Sequence, residues 1–179
     1  MEYNMIFAGF GGQGILLAGQ FIAEAGMNNG KNVTWMPSYG PEMRGGFANC
    51  SVVVSDDVIG TPIIANPDIL IAMNQPSLDL FGPKVVGGGT IIYNSDLCKD
   101  VPNLEHVKLI GINCNEIATN LGQPKAVNMP ILGALLEITD FLTEADLKEV
   151  MTKKFGTSRP HIIENNLKAI SIGRNLATR

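Results

Sequence analysis

Apolar and polar positions follow one another along the chain in blocks that predict strands and helices in alternation. Short continuous apolar runs are typical of strands buried in a parallel sheet, and apolar residues at every third or fourth position are typical of helices. The strand runs lie near residues 3–8, 33–36, 69–73, 90–93 and 107–112. The helical segments lie near residues 15–27, 78–81, 116–121, 130–141, 144–155 and 160–176. This alternation predicts one domain over residues 1–179, with an α/β fold of three layers (α/β/α) and a mainly parallel, Rossmann-like sheet.

One segment breaks the alternation of strands and helices. Residues 47–55 place apolar side chains at every second position along one face, as in a half-buried strand. Asp56 and Asp57 then give a turn signal, and residues 58–60 resume an apolar pattern. The pattern predicts a β-hairpin over residues 47–60 that is inserted into the sheet.

A glycine-rich stretch, Gly9-Phe10-Gly11-Gly12-Gln13-Gly14, stands between the first strand and the first helix. In this context a G-x-G-x-x-G sequence can bind a phosphate, because the helix start offers free N–H groups and the positive end of its dipole. We therefore predict that Gly9, Gly11, Gly12, Gln13 and Gly14 bind an anion or a cofactor phosphate. The alternative is that these glycines only allow the first helix to pack closely on the first strand.

The segment after the second strand differs from that of a dinucleotide-binding domain. Such domains carry an Asp or Glu about 20 residues beyond the glycines, where this chain has Pro37-Ser38-Tyr39, so NAD is disfavoured. Residues 37–46 instead contain prolines and glycines that fit neither a helix interior nor a central strand. We predict an interface or ligand loop, formed by Tyr39, Glu42, Arg44, Gly45 and Gly46. The alternative is an ordinary connection with a surface ion pair between Glu42 and Arg44.

The composition narrows the classes of function. Charged residues make up only 17% of the 179 residues, which suggests that a partner covers part of the surface. The net charge of -4 and the lack of a basic run argue against nucleic acid. No apolar run is long enough to span a membrane and no leader pattern is present, so we expect no membrane association and a cytoplasmic location.

The chain also lacks the sequence patterns of an independent active site. Cys50, Cys98 and Cys114 are far apart and form no metal-binding motif. No nucleophile–base pair and no pair of carboxylates is evident among the predicted strand ends. We therefore expect no catalytic residue and no metal site in this chain.

A set of motifs, spread in order over nearly the whole chain, resembles a known family. The motifs are residues 9–14 (GFGGQG), 39–46 (YGPEMRGG), 52–56 (VVVSD), 73–77 (MNQPS), 88–94 (GGTIIYN), 128–134 and 166–173. Together they resemble the gamma subunit of the 2-oxoacid:ferredoxin oxidoreductases. Residues 37–50 are most similar to the 2-oxoglutarate enzymes (2-oxoglutarate synthases), followed by the branched-chain 2-oxoacid and pyruvate enzymes, and then by the indolepyruvate enzymes.

The resemblance implies one subunit of a thiamine-diphosphate-dependent complex. Such a complex converts a 2-oxoacid, coenzyme A and oxidised ferredoxin to acyl-CoA, carbon dioxide and reduced ferredoxin. The implied partners are alpha and beta subunits and a ferredoxin-like delta subunit, which hold the thiamine diphosphate, the magnesium and the iron–sulfur clusters. This chain would meet ferredoxin and coenzyme A through the complex, and by itself it is expected to be inactive.

Two other functions are compatible with the same residues. A free-standing Rossmann-like nucleotide-binding or regulatory domain would use the glycine stretch by itself and bind a nucleotide as an isolated chain. A pure scaffold would use the glycines only for packing. Variants at Gly11 or Arg44 distinguish the scaffold from the oxidoreductase subunit. If the chain is the oxidoreductase subunit, these variants should assemble normally and yet lose turnover.

Overall fold

The computed structural model describes residues 1–40, 45–156 and 158–178, and its strands form one mixed sheet of six. The strands are β1 (Glu2–Phe10), β2 (Asn32–Tyr39), β3 (Phe47–Ser55), β4 (Ile69–Ala72), β5 (Thr90–Asn94) and β6 (Lys108–Ile112). Their order across the sheet is β2-β3-β1-β4-β5-β6. Strand β3 pairs antiparallel with β1 and β2, whereas β1, β4, β5 and β6 pair in parallel. The prediction of a mainly parallel α/β sheet is confirmed.

Helices cover both faces of the sheet, although unequally. They are α1 (Ile15–Asn28), α2 (Gln75–Phe81), α3 (Cys114–Asn120), α4 (Met129–Ile138), α5 (Glu144–Phe155) and α6 (Pro160–Ala177). The larger apolar cluster lies between one face of the sheet and the helices α1, α3, α4, α5 and α6. Phe7 and Phe21 are fully buried in it. The smaller cluster joins α2 and the adjoining loops to the other face, around Leu70 and Leu78. The architecture therefore has three layers, with one thin outer layer.

The β-hairpin lies elsewhere than the sequence predicts. Residues 56–68 contain no strand, so the predicted return strand at 58–60 is wrong. The hairpin consists instead of β2 and β3, which pair from Asn32 opposite Ser55 to Tyr39 opposite Ala48. Strand β2 extends through Pro37, which is possible because β2 lies at the edge of the sheet.

The carboxyl ends of β1 and β2 meet at the same end of the sheet. Gly9 of β1 pairs with Ala48 of β3, and Ala48 pairs on its other side with Tyr39 of β2. The glycine stretch and Tyr39 are therefore neighbours in space, although about 30 residues separate them in the sequence.

Among the described residues, no helix is long and apolar enough to cross a membrane.

The three cysteines are free and buried, and we expect them to be unreactive in the folded chain. Burial raises the pKa of Cys50 to about 12 and that of Cys98 to about 11, and it also raises the pKa of Cys114. Because the thiolate is the reactive form, maleimide at about pH 8 should label none of them before unfolding and all of them in denaturant. Mass spectrometry of the labelled chain checks this, and rapid labelling of any cysteine in the native chain would contradict it.

Asp56 is expected to make part of the stability dependent on acid pH. Its carboxylate lies 2.5 Å from Lys31 Nζ and 2.9 Å from the amino group of Met1. The hydrogen bond from Lys31, followed by that from the N-terminal amino group, lowers the pKa of Asp56 to about 2. The pKa of an aspartate in the unfolded chain is about 3.9, so this stabilisation is complete above that pH and is lost as the pH falls through about 2.

Urea unfolding measured between about pH 6 and pH 2 tests the role of Asp56. We expect Asp56→Asn to flatten the acid side of the stability curve, because asparagine does not titrate. The neighbouring exposed Asp57 makes no ion pair within the described residues, so Asp57→Asn is the matched control. Equal pH dependence in the two variants would show that the ion pairs of Asp56 are not formed in solution.

Candidate functional site

The glycine loop, residues 9–14, joins the carboxyl end of β1 to α1. A Cβ at Gly9 would lie 2.6 Å from Gln13 Oε1 and 3.0 Å from Met73 Cβ, so this position needs glycine for space. Gly12 and Gly14 have φ angles of 102° and 72°, in the left-handed region that glycine tolerates best. A Cβ at Gly12 would meet no atom of the described residues within 4 Å.

Gln13 ties the glycine loop to the end of β4. Its Oε1 accepts hydrogen bonds from Phe10 N at 2.7 Å and from Asn74 Nδ2 at 3.1 Å, and its Nε2 donates to Met73 O at 3.1 Å. Both polar atoms of this side chain are therefore engaged within the protein. The side chain of Gln13 fixes the loop, and its backbone N–H donates to Phe10 O at 3.1 Å. Anion binding by Gln13 stays a prediction, and both its side chain and its N–H are already hydrogen-bonded within the protein.

The two glycine-rich motifs of the sequence meet at Gly11. Its N–H donates to Gly46 O at 2.9 Å, and its carbonyl oxygen accepts from Gly45 N at 3.3 Å. This short ladder places residues 45 and 46 directly beside the glycine loop. Glu42 and Arg44, which are predicted to form a loop with them, lie outside the described residues.

Helix α1 begins with unused hydrogen-bond donors. Its N-cap is Gly14, which provides no side-chain cap, and its first turn contains no acidic residue. Within the part of the chain that the structure describes, the N–H groups of Ile15, Leu16 and Leu17 have no acceptor. Free N–H groups at a helix start, together with the positive end of the helix dipole, favour an anion.

A cavity of about 300 Å³ opens at this helix start. Its walls are formed by the glycine loop and by mostly apolar residues of α1, β2 and β3. The lining residues are Gly11, Gly12, Gly14, Ile15, Leu16, Leu17, Tyr39 and Ala48. Tyr39 is 55% exposed and brings β2 to the cavity. No charged side chain of the described residues lines it. The cavity therefore suits part of a ligand that combines an anionic group with an apolar body.

Two buried asparagines, Asn74 and Asn128, support the loop, although the sequence does not predict either of them as a site residue. Asn74 donates to Gln13 and also accepts from Ser77 N at 2.9 Å, which caps α2. Asn128 Nδ2 donates to Gly14 O at 3.0 Å and occupies the space that a Cβ at Gly14 would need. A signal is present in the sequence, since each asparagine stands shortly before a proline at a helix start. It does not indicate the contact with a loop more than 60 residues away.

The described residues contain no cluster of three or more His, Cys, Asp or Glu side chains that could hold a metal ion. Among the described residues that line the cavity, Tyr39 is the one with a polar side chain, and the others are glycine, alanine, isoleucine and leucine. This set of side chains can bind and orient a ligand. It offers no base beside a nucleophile for a chemical step.

Comparisons with known proteins agree with the resemblance seen in the sequence. Residues 4–176 match the model of the pyruvate ferredoxin/flavodoxin oxidoreductase family. The ketoisovalerate oxidoreductase subunit VorA of Methanothermobacter marburgensis is 36% identical over 99% of this chain, which corresponds to 37% of VorA. The chain therefore spans little more than a third of that relative.

Two solved structures share the fold. The crystal structure of the gamma subunit of a keto/oxoacid ferredoxin oxidoreductase from Geobacter sulfurreducens has a TM-score of 0.81 and 29% identity, and 98% of each chain is covered. The 2-oxoglutarate:ferredoxin oxidoreductase of Magnetococcus marinus, with 2-oxoglutarate, coenzyme A and succinyl-CoA bound, has a TM-score of 0.89 and 28% identity, over 99% of this chain and 31% of that one. The chain belongs to the pyruvate ferredoxin/flavodoxin oxidoreductase family.

Proposed function

We propose that this chain is the gamma subunit of a 2-oxoacid:ferredoxin oxidoreductase. The complex would oxidise a 2-oxoacid with coenzyme A and ferredoxin to acyl-CoA, carbon dioxide and reduced ferredoxin, in the cytoplasm. Its alpha, beta and delta subunits would hold the thiamine diphosphate, the magnesium and the iron–sulfur clusters. The observation that carries the proposal is the glycine loop at the start of α1, within a chain that matches the family over residues 4–176.

Within this complex, the glycine loop binds an anionic part of coenzyme A. Coenzyme A combines phosphates with a long uncharged arm, which suits free N–H groups beside an apolar cavity. Thiamine diphosphate fits less well, because it is bound with magnesium and no acidic side chain of the described residues lines the cavity. Support also comes from the Magnetococcus marinus enzyme, which has the same fold over this region and was solved with coenzyme A bound.

The role of this chain would be to bind and orient coenzyme A rather than to carry out the chemistry. The backbone N–H groups of the first turn of α1 would hold a phosphate, while Leu16, Leu17 and Tyr39 would contact an uncharged part of the ligand. Chemistry on the 2-oxoacid would be supplied by the thiamine diphosphate held in partner subunits. The substrate proposed first is 2-oxoglutarate, with branched-chain 2-oxoacids second, since enzymes of both kinds are similar to this chain.

Reconstitution tests the proposed function. The chain is co-expressed with the alpha, beta and delta subunits, and reduction of ferredoxin is measured with coenzyme A and with 2-oxoglutarate, ketoisovalerate or pyruvate. We expect the complete complex to be active with one of these acids, and both the isolated chain and the complex without it to be inactive. The isolated chain is also titrated with NAD and ADP. Tight nucleotide binding by the isolated chain, together with failure to join the complex, would instead support a free-standing nucleotide-binding domain.

A further inference from the structure

Strand β2 forms an open edge of the sheet with an unusual surface. It lies at the end of the strand order, and its eight residues, Asn32–Tyr39, include no charged side chain. Three large side chains are exposed on it: Trp35 at 37%, Met36 at 39% and Tyr39 at 55%. We call this surface the β2 edge. An exposed edge of this length without charges is a template for pairing with another chain.

The opposite edge of the same sheet is protected in the ordinary way. Strand β6 has five residues, Lys108–Ile112, and begins with a lysine. Short length and lysine are two means by which proteins prevent edge-to-edge pairing. On β2, Pro37 must turn its nitrogen away from β3, because proline has no N–H to donate. By the alternation of a strand, the N–H groups of Val33, Trp35 and Tyr39 then also point outward.

The segment that contains the β2 edge has few charged residues, and the large side chains exposed on the edge are of types enriched in interface cores. Between Tyr3 and Ser55, only Glu24, Lys31, Glu42 and Arg44 are charged, whereas the whole chain has 30 charged residues, 13 basic and 17 acidic. Interface cores are depleted in Lys, Glu and Asp and enriched in Trp, Tyr and Met. The β2 edge also continues into the glycine-loop cavity, because Tyr39 belongs to both. A partner that covers the edge would therefore reach the rim of that cavity.

The lengths of the relatives indicate which protein unit this chain has as a neighbour. The same unit is a separate subunit in Geobacter sulfurreducens, where 98% of that chain is covered. It is 37% of VorA and 31% of the Magnetococcus marinus chain, so in those proteins it is joined to a further two thirds. Two domains that form one chain in some relatives and separate subunits in others are expected to assemble with each other. Domains of one chain commonly pack through an interface, and the separate subunits would use the same interface.

We propose that the β2 edge docks the subunit that corresponds to the remaining two thirds of these longer relatives. That subunit pairs with the outward N–H and C=O groups of β2 and covers Trp35, Met36 and Tyr39. This inference rests on the proposed function, since it requires that the chain assembles into the complex. It adds the contact surface and the class of partner that binds there.

A cysteine footprint tests the proposed docking without disrupting it. Met36→Cys places a thiol on the β2 edge, and Leu109→Cys is the matched control on β6, since Leu109 is 36% exposed and Met36 39%. The three native cysteines are buried and do not compete for the reagent. In the complex, we expect maleimide labelling of Met36→Cys to slow by about tenfold or more relative to the isolated chain, with little change at Leu109→Cys. Equal labelling rates at Met36→Cys in the free and assembled chain would overturn the inference.

Charged variants provide an independent test with a different readout. Met36→Lys is expected to reduce co-purification with the partner subunit by about tenfold, because lysine at an edge opposes strand pairing, whereas Leu109→Lys should assemble like the wild type. Circular dichroism of both isolated variants verifies that they fold. If Met36→Lys does not fold, the cysteine footprint alone tests the docking surface. Normal assembly of folded Met36→Lys would overturn the inference.

Two further outcomes are distinguishable. If the wild-type chain fails to assemble with any partner subunit, the proposed function fails and not only the docking surface. If Met36→Cys in the isolated chain becomes protected as its concentration rises, a second copy of this chain covers the β2 edge, and the inference is overturned in favour of a homodimer. Sedimentation of the isolated chain at the same concentrations measures that outcome directly.

Discussion

Replacement of Gly133 by alanine is expected to destabilise the fold by about 2 kcal/mol. Gly133 of α4 faces α6 so closely that an added Cβ would overlap the carbonyl oxygen of Ile170 and lie 2.7 Å from Arg174 N. These atoms belong to the backbone, so a side-chain rotation cannot relieve the overlap and α6 must move away from α4. Overpacking of this kind costs up to about 3 kcal/mol, and the higher helix propensity of alanine returns about 1 kcal/mol.

Thermal unfolding of the isolated chain measures the effect of Gly133→Ala. For a protein of this size, a loss of about 2 kcal/mol lowers the Tm by roughly 4–8 °C. Gly60→Ala is the control, because a Cβ at Gly60 meets no atom within 4 Å in the part of the chain that the structure describes. The stability of this variant should stay within about 0.5 kcal/mol of the wild type. An unchanged Tm for Gly133→Ala would show that the two helices are not in backbone contact.

Gly173 gives a second test of the same contact. A Cβ at this residue of α6 would overlap the carbonyl oxygen of Pro130 in α4. One displacement of α6 would relieve both overlaps, so the Gly133→Ala, Gly173→Ala double variant should lose less stability than the sum of the two single variants. Additive losses would indicate that the two glycines are accommodated separately.

The order of strands and helices could be predicted from the sequence, but the partner of β3 could not. Apolar runs and helical periodicity locate β1, β4 and α1 close to their observed bounds. The hairpin prediction fails because Asp56 and Asp57 give a turn signal after β3, although the chain there leaves the sheet instead of returning. Pro37 suggests the end of β2, yet the strand continues through it, since an edge strand tolerates a missing N–H. Edge position is a property of the whole sheet and is not visible in a local pattern.

The site shows a similar division between local and long-range information. The glycine loop and its helix are local, and the sequence predicts both. Gln13, however, turns its amide to Met73 and Asn74, so its side chain supports the loop instead of facing the cavity. The apolar lining also depends on Ala48, which β-pairing brings beside Gly9. These contacts join residues that lie tens of positions apart, and no spacing rule predicts them.

Replacement of Leu17 by glutamate is expected to separate anion binding from simple packing at the glycine loop. Leu17 lies in the first turn of α1 and lines the cavity. A negative charge there interacts favourably with the helix dipole, by about 0.3–1 kcal/mol in the isolated chain. The same charge opposes a phosphate at the same N–H groups, by about 1–2 kcal/mol for charges separated by a few ångströms and partly screened by water. The added charge thus stabilises the isolated chain and weakens phosphate binding. A general loss of structure would lower both stability and binding, so it cannot produce this result.

The matched control is Leu17→Gln, which loses the same apolar contacts without adding a charge. In the reconstituted complex, the KM for coenzyme A of Leu17→Glu should exceed that of Leu17→Gln by about tenfold, because about 1.4 kcal/mol corresponds to that factor. The KM for the 2-oxoacid should be the same in both, and the isolated Leu17→Glu chain should be at least as stable as Leu17→Gln. A second pair on α2, Leu80→Glu and Leu80→Gln, controls for charge alone, since Leu80 is 48% exposed and does not line the cavity. If the two Leu17 variants have equal KM values for coenzyme A, the loop binds no anion and its glycines serve to pack α1 on β1.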